Sequence, residues 1–224
     1  MRTAKWLVLG VIIGFIAAST ASGSTVILNS TVTILSSSTD PYTGAGGFPL
    51  ADALDVLTDG TPNYATDYAS NSAGTTTHLD FKFYNPVIFD SIRYTDRTSS
   101  GGNNGSLLFG LFDFVTAYRY SFSNDPTFAN IVATIDVSQI TLPNCAGSCT
   151  LANIGQFQTT ASVTGIGPIQ YVRWQVLSIN TTSPNPGASD FRFSGIEVPE
   201  PAGMALLGLG CLGLLAYKRF RPAQ

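Results

Sequence analysis

From residue 78 onward, apolar side chains recur at every second position. In HLDFKFY, Leu79, Phe81 and Phe83 alternate with Asp80, Lys82 and Tyr84; in AYRYSFS, Tyr118, Tyr120 and Phe122 alternate with Arg119 and Ser121. NIVATIDVS sets Ile131, Ala133, Ile135 and Val137 on one side, with Thr134 and Asp136 opposite. YVRWQVLSI repeats the pattern with Val172, Trp174 and Val176, and DFRFSGI places Phe191 and Phe193 about Arg192. A period of two belongs to strands with one buried face, and the Gly, Pro, Asn and Ser clusters between these runs are turn formers. Helical spacing is hinted at only over one turn, in FPLADALDVL. Short strands separated by turns predict an all-β domain, a sandwich or a barrel, and a β-sandwich is the expectation taken forward.

The two ends of the chain break the pattern. Residues 1–21 open with Arg2 and Lys5, run through WLVLGVIIGFIA and finish among small residues, the layout of a secretory signal peptide, with an uncleaved anchor as the alternative. At the other end come Pro199, Glu200 and Pro201, then 16 uncharged residues from Ala202 to Tyr217, then Lys218, Arg219 and Arg221. As a helix over 202–217 this run spans about 24 Å against a hydrocarbon core of about 30 Å, so it crosses a bilayer only marginally. Basic residues behind it fit a segment stopped with its positive side inside. Between the ends lies the folded part, 45–197, with 22–44 expected to add a strand or linker to the same sandwich.

Removing the ends uncovers an acidic domain. The whole chain has 11 basic and 14 acidic residues, but 22–198 keeps 6 basic against 13 acidic, a net −7. Such a surface repels phosphate backbones, which argues against nucleic acid as a partner. Cys145 and Cys149 sit in the loop LPNCAGSCT, where an exported protein is expected to close a small disulfide, while Cys211 lies in the apolar tail. His78 is the only histidine, so neither zinc ligation nor a Ser/His/Asp or Cys/His device has its parts beyond that one residue. No G-x-S-x-G elbow, Walker loop or HExxH helix occurs, and a noncatalytic protein is expected.

The order of signals resembles a known family. Asp59 and Gly60 form a DG turn, Ile92 to Arg97 match I-x-x-x-x-R, Tyr118 to Asp125 match Y-x-x-x-x-S-x-D, and Tyr171 to Arg173 read Y-V-R. Together these resemble the galactose-binding-like jelly roll of discoidin, or coagulation factor V/VIII type C, domains over roughly residues 45–197. The chain departs from that pattern in having Pro126 after S-x-D and no long disulfide joining the domain termini. The tail closely resembles the PEP-CTERM sorting signal of Gram-negative bacteria. That resemblance makes Pro199, Glu200 and Pro201 the motif read by exosortase and Lys218, Arg219 and Arg221 its cytoplasmic cap.

Candidate ligand groups follow from chemistry. Tyr42, Tyr64 and Tyr68 offer flat rings with a polar tip on which a sugar could stack. His78, Arg93, Asp96 and Arg97 add hydrogen-bonding groups, although a strand-end Arg beside Asp also reads as an ordinary surface ion pair. Asp52, Asp55 and Asp59 gather oxygen ligands near a turn, and the family resemblance implies a structural Ca²⁺ at Asp52 and Asp59. The expected protein is an exported surface or matrix module, held briefly at the inner membrane, that binds glycan in an exopolysaccharide or biofilm setting. A structural matrix protein without a ligand and a carbohydrate-active enzyme are the alternatives.

Overall fold

The computed structural model describes residues 25–27, 31–37, 53–54, 68–97, 114–138, 140–142, 155–180 and 185–198. The signal segment, the sorting tail from Pro199, and the loop holding Cys145 and Cys149 lie outside them. Ten strands are described: β1 (Thr25–Val26), β2 (Val32–Ser37), β3 (Tyr68–Ala69), β4 (His78–Thr95), β5 (Val115–Ser123), β6 (Ile131–Val137), β7 (Gln158–Ser162), β8 (Ile169–Ile179), β9 (Gly187–Ala188) and β10 (Asp190–Glu197). Described helical structure is limited to single 3₁₀ turns such as Gly74–Thr76, and within FPLADALDVL Ala53 and Leu54 take that form.

β4 organises the fold. Its first half, up to Phe83, pairs with β2 and β8, whereas from Val87, which keeps one last pair with Ile169 of β8, it pairs with β10 and then β7. Between the halves stands Pro86, which has no N–H to give to a ladder and a fixed φ, so the strand turns a corner there. One sheet therefore runs β2-β4-β8-β5-β6 and the other β1-β10-β4-β7, joined through β4. The second half folds back over the first: Phe89 packs on Phe83 (ring centroids 5.0 Å apart), Phe191 on Phe81 (4.9 Å) and Tyr94 on Trp174 (5.1 Å). The largest fully enclosed side chains are all aromatic, each contributing on the order of 2–3 kcal/mol by burial. The architecture is the sandwich that the alternation predicts.

Two details depart from simple alternation. Phe89 and Ile92 both face the core, although three positions apart, because Gly195 pairs with Phe89 and Ser194 with Ser91, leaving Asp90 as the extra residue of a bulge. Gly195 is needed there, since a Cβ would lie 2.3 Å from the Ile88 carbonyl oxygen. β6 forms a sheet edge, and its inward side is only half-buried at Ala133, Ile135 and Val137, with Ile131 45% exposed. That corrects the expectation of a fully covered face on this strand.

Register defines two ends of the sandwich. The corner end holds Tyr84–Pro86, the β5–β6 turn at Asn124–Asn130, and the β7–β8 turn at Thr164–Pro168. The two turns are tied by Asn124, whose Nδ2 donates to the Pro168 carbonyl (3.1 Å) and whose Oδ1 accepts from the Gln170 amide (3.0 Å). The far end holds His78, Val115 and Ile179, which the pairings of β4, β5 and β8 place together, and Thr95, whose neighbour Asp96 accepts from the Val115 amide. β10 finishes at the corner end: the Val198 amide donates to the Pro86 carbonyl (2.7 Å), and Asn85 Nδ2 donates to Glu197 Oε2 (3.0 Å). Thr25 pairs with Gly195, so both chain ends leave the sandwich on that side.

Candidate functional site

Most segments between strands leave from the far end. The chain departs at Ser37, opposite Leu79, and rejoins the sheets at Tyr68; segment 98–113 joins Arg97 to Phe114, and 181–184 joins Asn180 to Asn185. Segment 143–154 lies between Leu142, two residues past the bond from the Ile140 amide to the Thr116 carbonyl, and Gly155. Loops on a rigid scaffold are where binding side chains concentrate, which makes this end the candidate site.

Its frame is a chain of hydrogen bonds. Asp96 Oδ1 accepts from the Arg97 amide (2.7 Å) and Oδ2 from the Val115 amide (2.6 Å), so one carboxylate holds both edges of segment 98–113. The Asp96 amide in turn donates to the Phe157 carbonyl (2.9 Å). Arg97 Nη1 donates to the Asn185 carbonyl (2.8 Å), and Asn185 Oδ1 accepts from the Ser72 amide (2.8 Å), at a residue held at φ 58°. Burial pushes the Asp96 carboxyl well above the usual carboxylate range, against the pull of the Val115 and Arg97 amides and the Arg97 charge. Burial likewise raises the Tyr94 hydroxyl, with the Asp96 charge next in weight; that hydroxyl donates to the Gly187 carbonyl (2.7 Å).

The residues singled out in the sequence separate in three dimensions. Tyr68 is fully enclosed: it pairs with Ala188 in the small β3–β9 ladder, where a Cβ on Gly187 would lie 1.8 Å from the Tyr68 carbonyl oxygen. Its ring belongs to the core and not to a sugar platform. Asp96, 1% exposed, and Arg97, 8% exposed, are corrected from ligand groups to frame groups. Arg93 stands mid-strand on the outer face of the β4–β10 sheet, opposite Arg192. His78 is half-buried at the start of β4, its Nδ1 3.3 Å from the Thr76 carbonyl oxygen. Tyr42, Tyr64, Asp52, Asp55 and Asp59 lie outside the described residues. Among the described residues no three His, Cys, Asp or Glu side chains gather as metal ligands.

Other motif residues serve the fold. The Ser123 hydroxyl donates to the Asn130 carbonyl (2.7 Å) and accepts from the Asp125 amide (2.9 Å), while Asp125 Oδ1 accepts from the Thr127 amide and hydroxyl. These bonds hold the corner-end turn, with Phe128 at φ 56°. Arg173 lies over the Phe128 ring (4.4 Å) and forks onto Asp80 (2.6 and 2.8 Å), whose Oδ2 also accepts from Ser36 (2.6 Å). Asn185 and Ser72 carry no such signal in the sequence; their Ser-Pro-Asn-Pro-Gly and Ser-Asn-Ser surroundings mark turns but not the contact between them.

Comparison with known proteins agrees with this architecture. The PEP-CTERM protein-sorting motif matches residues 197–221, and it marks a protein for export and sorting to the cell surface. The fold is similar to the CBM32-3 module of a family 31 glycoside hydrolase from Clostridium perfringens. That match has 16% identity and a TM-score of 0.52, covering 76% of this chain and 95% of that one. It is also similar to a putative chitobiase fragment from Bacteroides thetaiotaomicron, with 10% identity and a TM-score of 0.54, covering 81% and 98%. An F5/8 type C domain from Bacteroides fragilis aligns at 11% identity and a TM-score of 0.48, covering 78% and 98%. At these identities the likeness is one of fold. No curated protein matches the chain.

Proposed function

We propose that the chain is an exported, noncatalytic surface or matrix protein whose sandwich binds polysaccharide through its far end, with exosortase processing the tail. The observation that carries this reading is the segregation of the two ends. The sorting motif begins at residue 197, on the corner end, while the segments bearing Tyr42 and Tyr64 depart from the opposite one. A module whose chain runs on into the tail from one end keeps the opposite end, and the segments that depart from it, clear of the anchor. Its resemblance in fold to a carbohydrate-binding module supports sugar as the ligand class.

Pull-down on the host's own exopolysaccharide and on a glycan panel tests the ligand. Tyr42→Ala and Tyr64→Ala are each expected to weaken binding about tenfold, the scale of one lost stacking contact, whereas the corner-end Tyr84→Ser leaves it unchanged. Uniform absence of binding would favour a structural matrix protein. Intact mass of secreted material tests the tail: the expected product lacks the apolar run after Pro201, and a product still ending at Gln224 would contradict processing.

A further inference from the structure

We propose that, while the sorting tail is intact, the corner end of the sandwich rests on the lipid surface, with Tyr84, Lys82 and Ile88 in the headgroup layer. This inference rests on reading the tail as membrane-inserted. The chain is held to the sandwich as far as Val198, whose amide bonds the Pro86 carbonyl at 2.7 Å, and the apolar run starts at Ala202. Those four residue steps reach about 14 Å even when fully extended. The headgroup layer on one side of a bilayer occupies roughly 5–8 Å of that distance. An inserted tail therefore leaves the corner end almost no separation from lipid.

The side chains waiting there suit that contact. Tyr84 is 75% exposed, the most exposed large apolar residue among those described, and Ile88, Ile131 and Val132 at the same end are also open to solvent. Tyrosine joins an apolar ring to a polar tip and collects at membrane interfaces, and the exposed Lys82 beside it can reach phosphates while its stem lies on apolar surface. The acidic groups at this end keep their charge but are fixed in place by neutral hydrogen-bond partners, so Lys82 is the group that meets the phosphates. Asn85 holds Glu197, and Asp125 takes the bonds of Thr127 together with one from Asn130 (3.3 Å). Lipid is favoured over a protein partner because the tail alone brings lipid to this surface.

Tryptophan emission can test the contact, because Trp174 is fully enclosed and serves as an internal reference. The full chain carrying Trp6→Phe would be reconstituted into phosphatidylethanolamine/phosphatidylglycerol vesicles with brominated lipid. Tyr84→Trp should lose most of its added emission and shift it to the blue; Thr75→Trp, at the far end, should do neither. An unquenched position 84 in vesicles that keep the chain through a carbonate wash overturns the proposal, as does equal quenching at 75 and 84. Quenching at 84 that needs a co-reconstituted processing enzyme also overturns it, in favour of a protein dock. A chain that washes off in carbonate overturns the tail reading and this proposal together. Neither result touches polysaccharide binding, which is read in a separate assay.

Discussion

Replacing Trp174 with alanine is expected to cost about 3–5 kcal/mol and to lower the melting temperature by roughly 10 °C or more. Trp174 fills the middle of the sandwich, fully enclosed, with the rings of Tyr94, Phe191 and Tyr118 at centroid distances of 5.1, 5.4 and 6.3 Å. All three are aromatic and held by strands of both sheets, so the space left behind has little means of collapsing. Trp174→Phe separates volume from polarity. The indole N–H meets no acceptor among the described residues, so its removal relieves an unmade bond while a ring is retained. The phenylalanine variant should therefore lose only about 1–2 kcal/mol, well short of the alanine variant. Urea denaturation of the two variants checks this, and equal losses would mean that cavity volume is not what Trp174 supplies.

Asp96→Ala should be nearly as damaging, for a different reason. It strips the acceptor from two amides, Arg97 and Val115, in a place closed to water, at about 1–3 kcal/mol each. It also unties the edges of segment 98–113, so protection of the Val115 amide from hydrogen exchange should fall with stability. The effect depends on pH. Burial raises the folded carboxyl above its unfolded value of about 3.9, so the folded chain binds the proton more tightly than the unfolded one. The stability Asp96 contributes is then complete below that unfolded value and declines as pH rises through the folded one. The gap between wild type and Asp96→Ala should accordingly be widest near pH 4 and narrower at pH 8. A gap that widens with pH would show that the two amide donors outweigh desolvation.

The alternation of Leu79, Phe81 and Phe83, of Tyr118, Tyr120 and Phe122, and of Val172, Trp174 and Val176 was readable because side-chain period is local to a strand. What depends on a distant partner was not. Asp80 occupies a polar phase of the pattern yet is 3% exposed, because Arg173, 93 residues later, closes over it. The shift of phase after Phe89 is set by Gly195 on another strand. Tyr68, a ring in a polar stretch, resembles a ligand platform until β9 pairs with it. For the same reason Arg97 looked available, although the Asn185 carbonyl occupies it. Of the site, the sequence conveyed residue types and the tail address; the frame that places them depends on contacts between residues 88 to 113 apart, such as Arg97 with Asn185 and Asn185 with Ser72.

The placement of β10 has a mechanical consequence. It runs from the far end to the corner end, flanked along its length by β4 and near its finish by β1, and the chain continues from it into the tail. A load gripped at the loops and resisted at Val198 pulls lengthwise along this strand. Antiparallel hydrogen bonds lie across that direction, so the whole ladder must shear together and no single bond can open first. Force applied through a chain end on the opposite side would instead peel the pairs apart one by one. The direction in which this strand exits therefore sets how hard a surface can tug on the domain before it unravels.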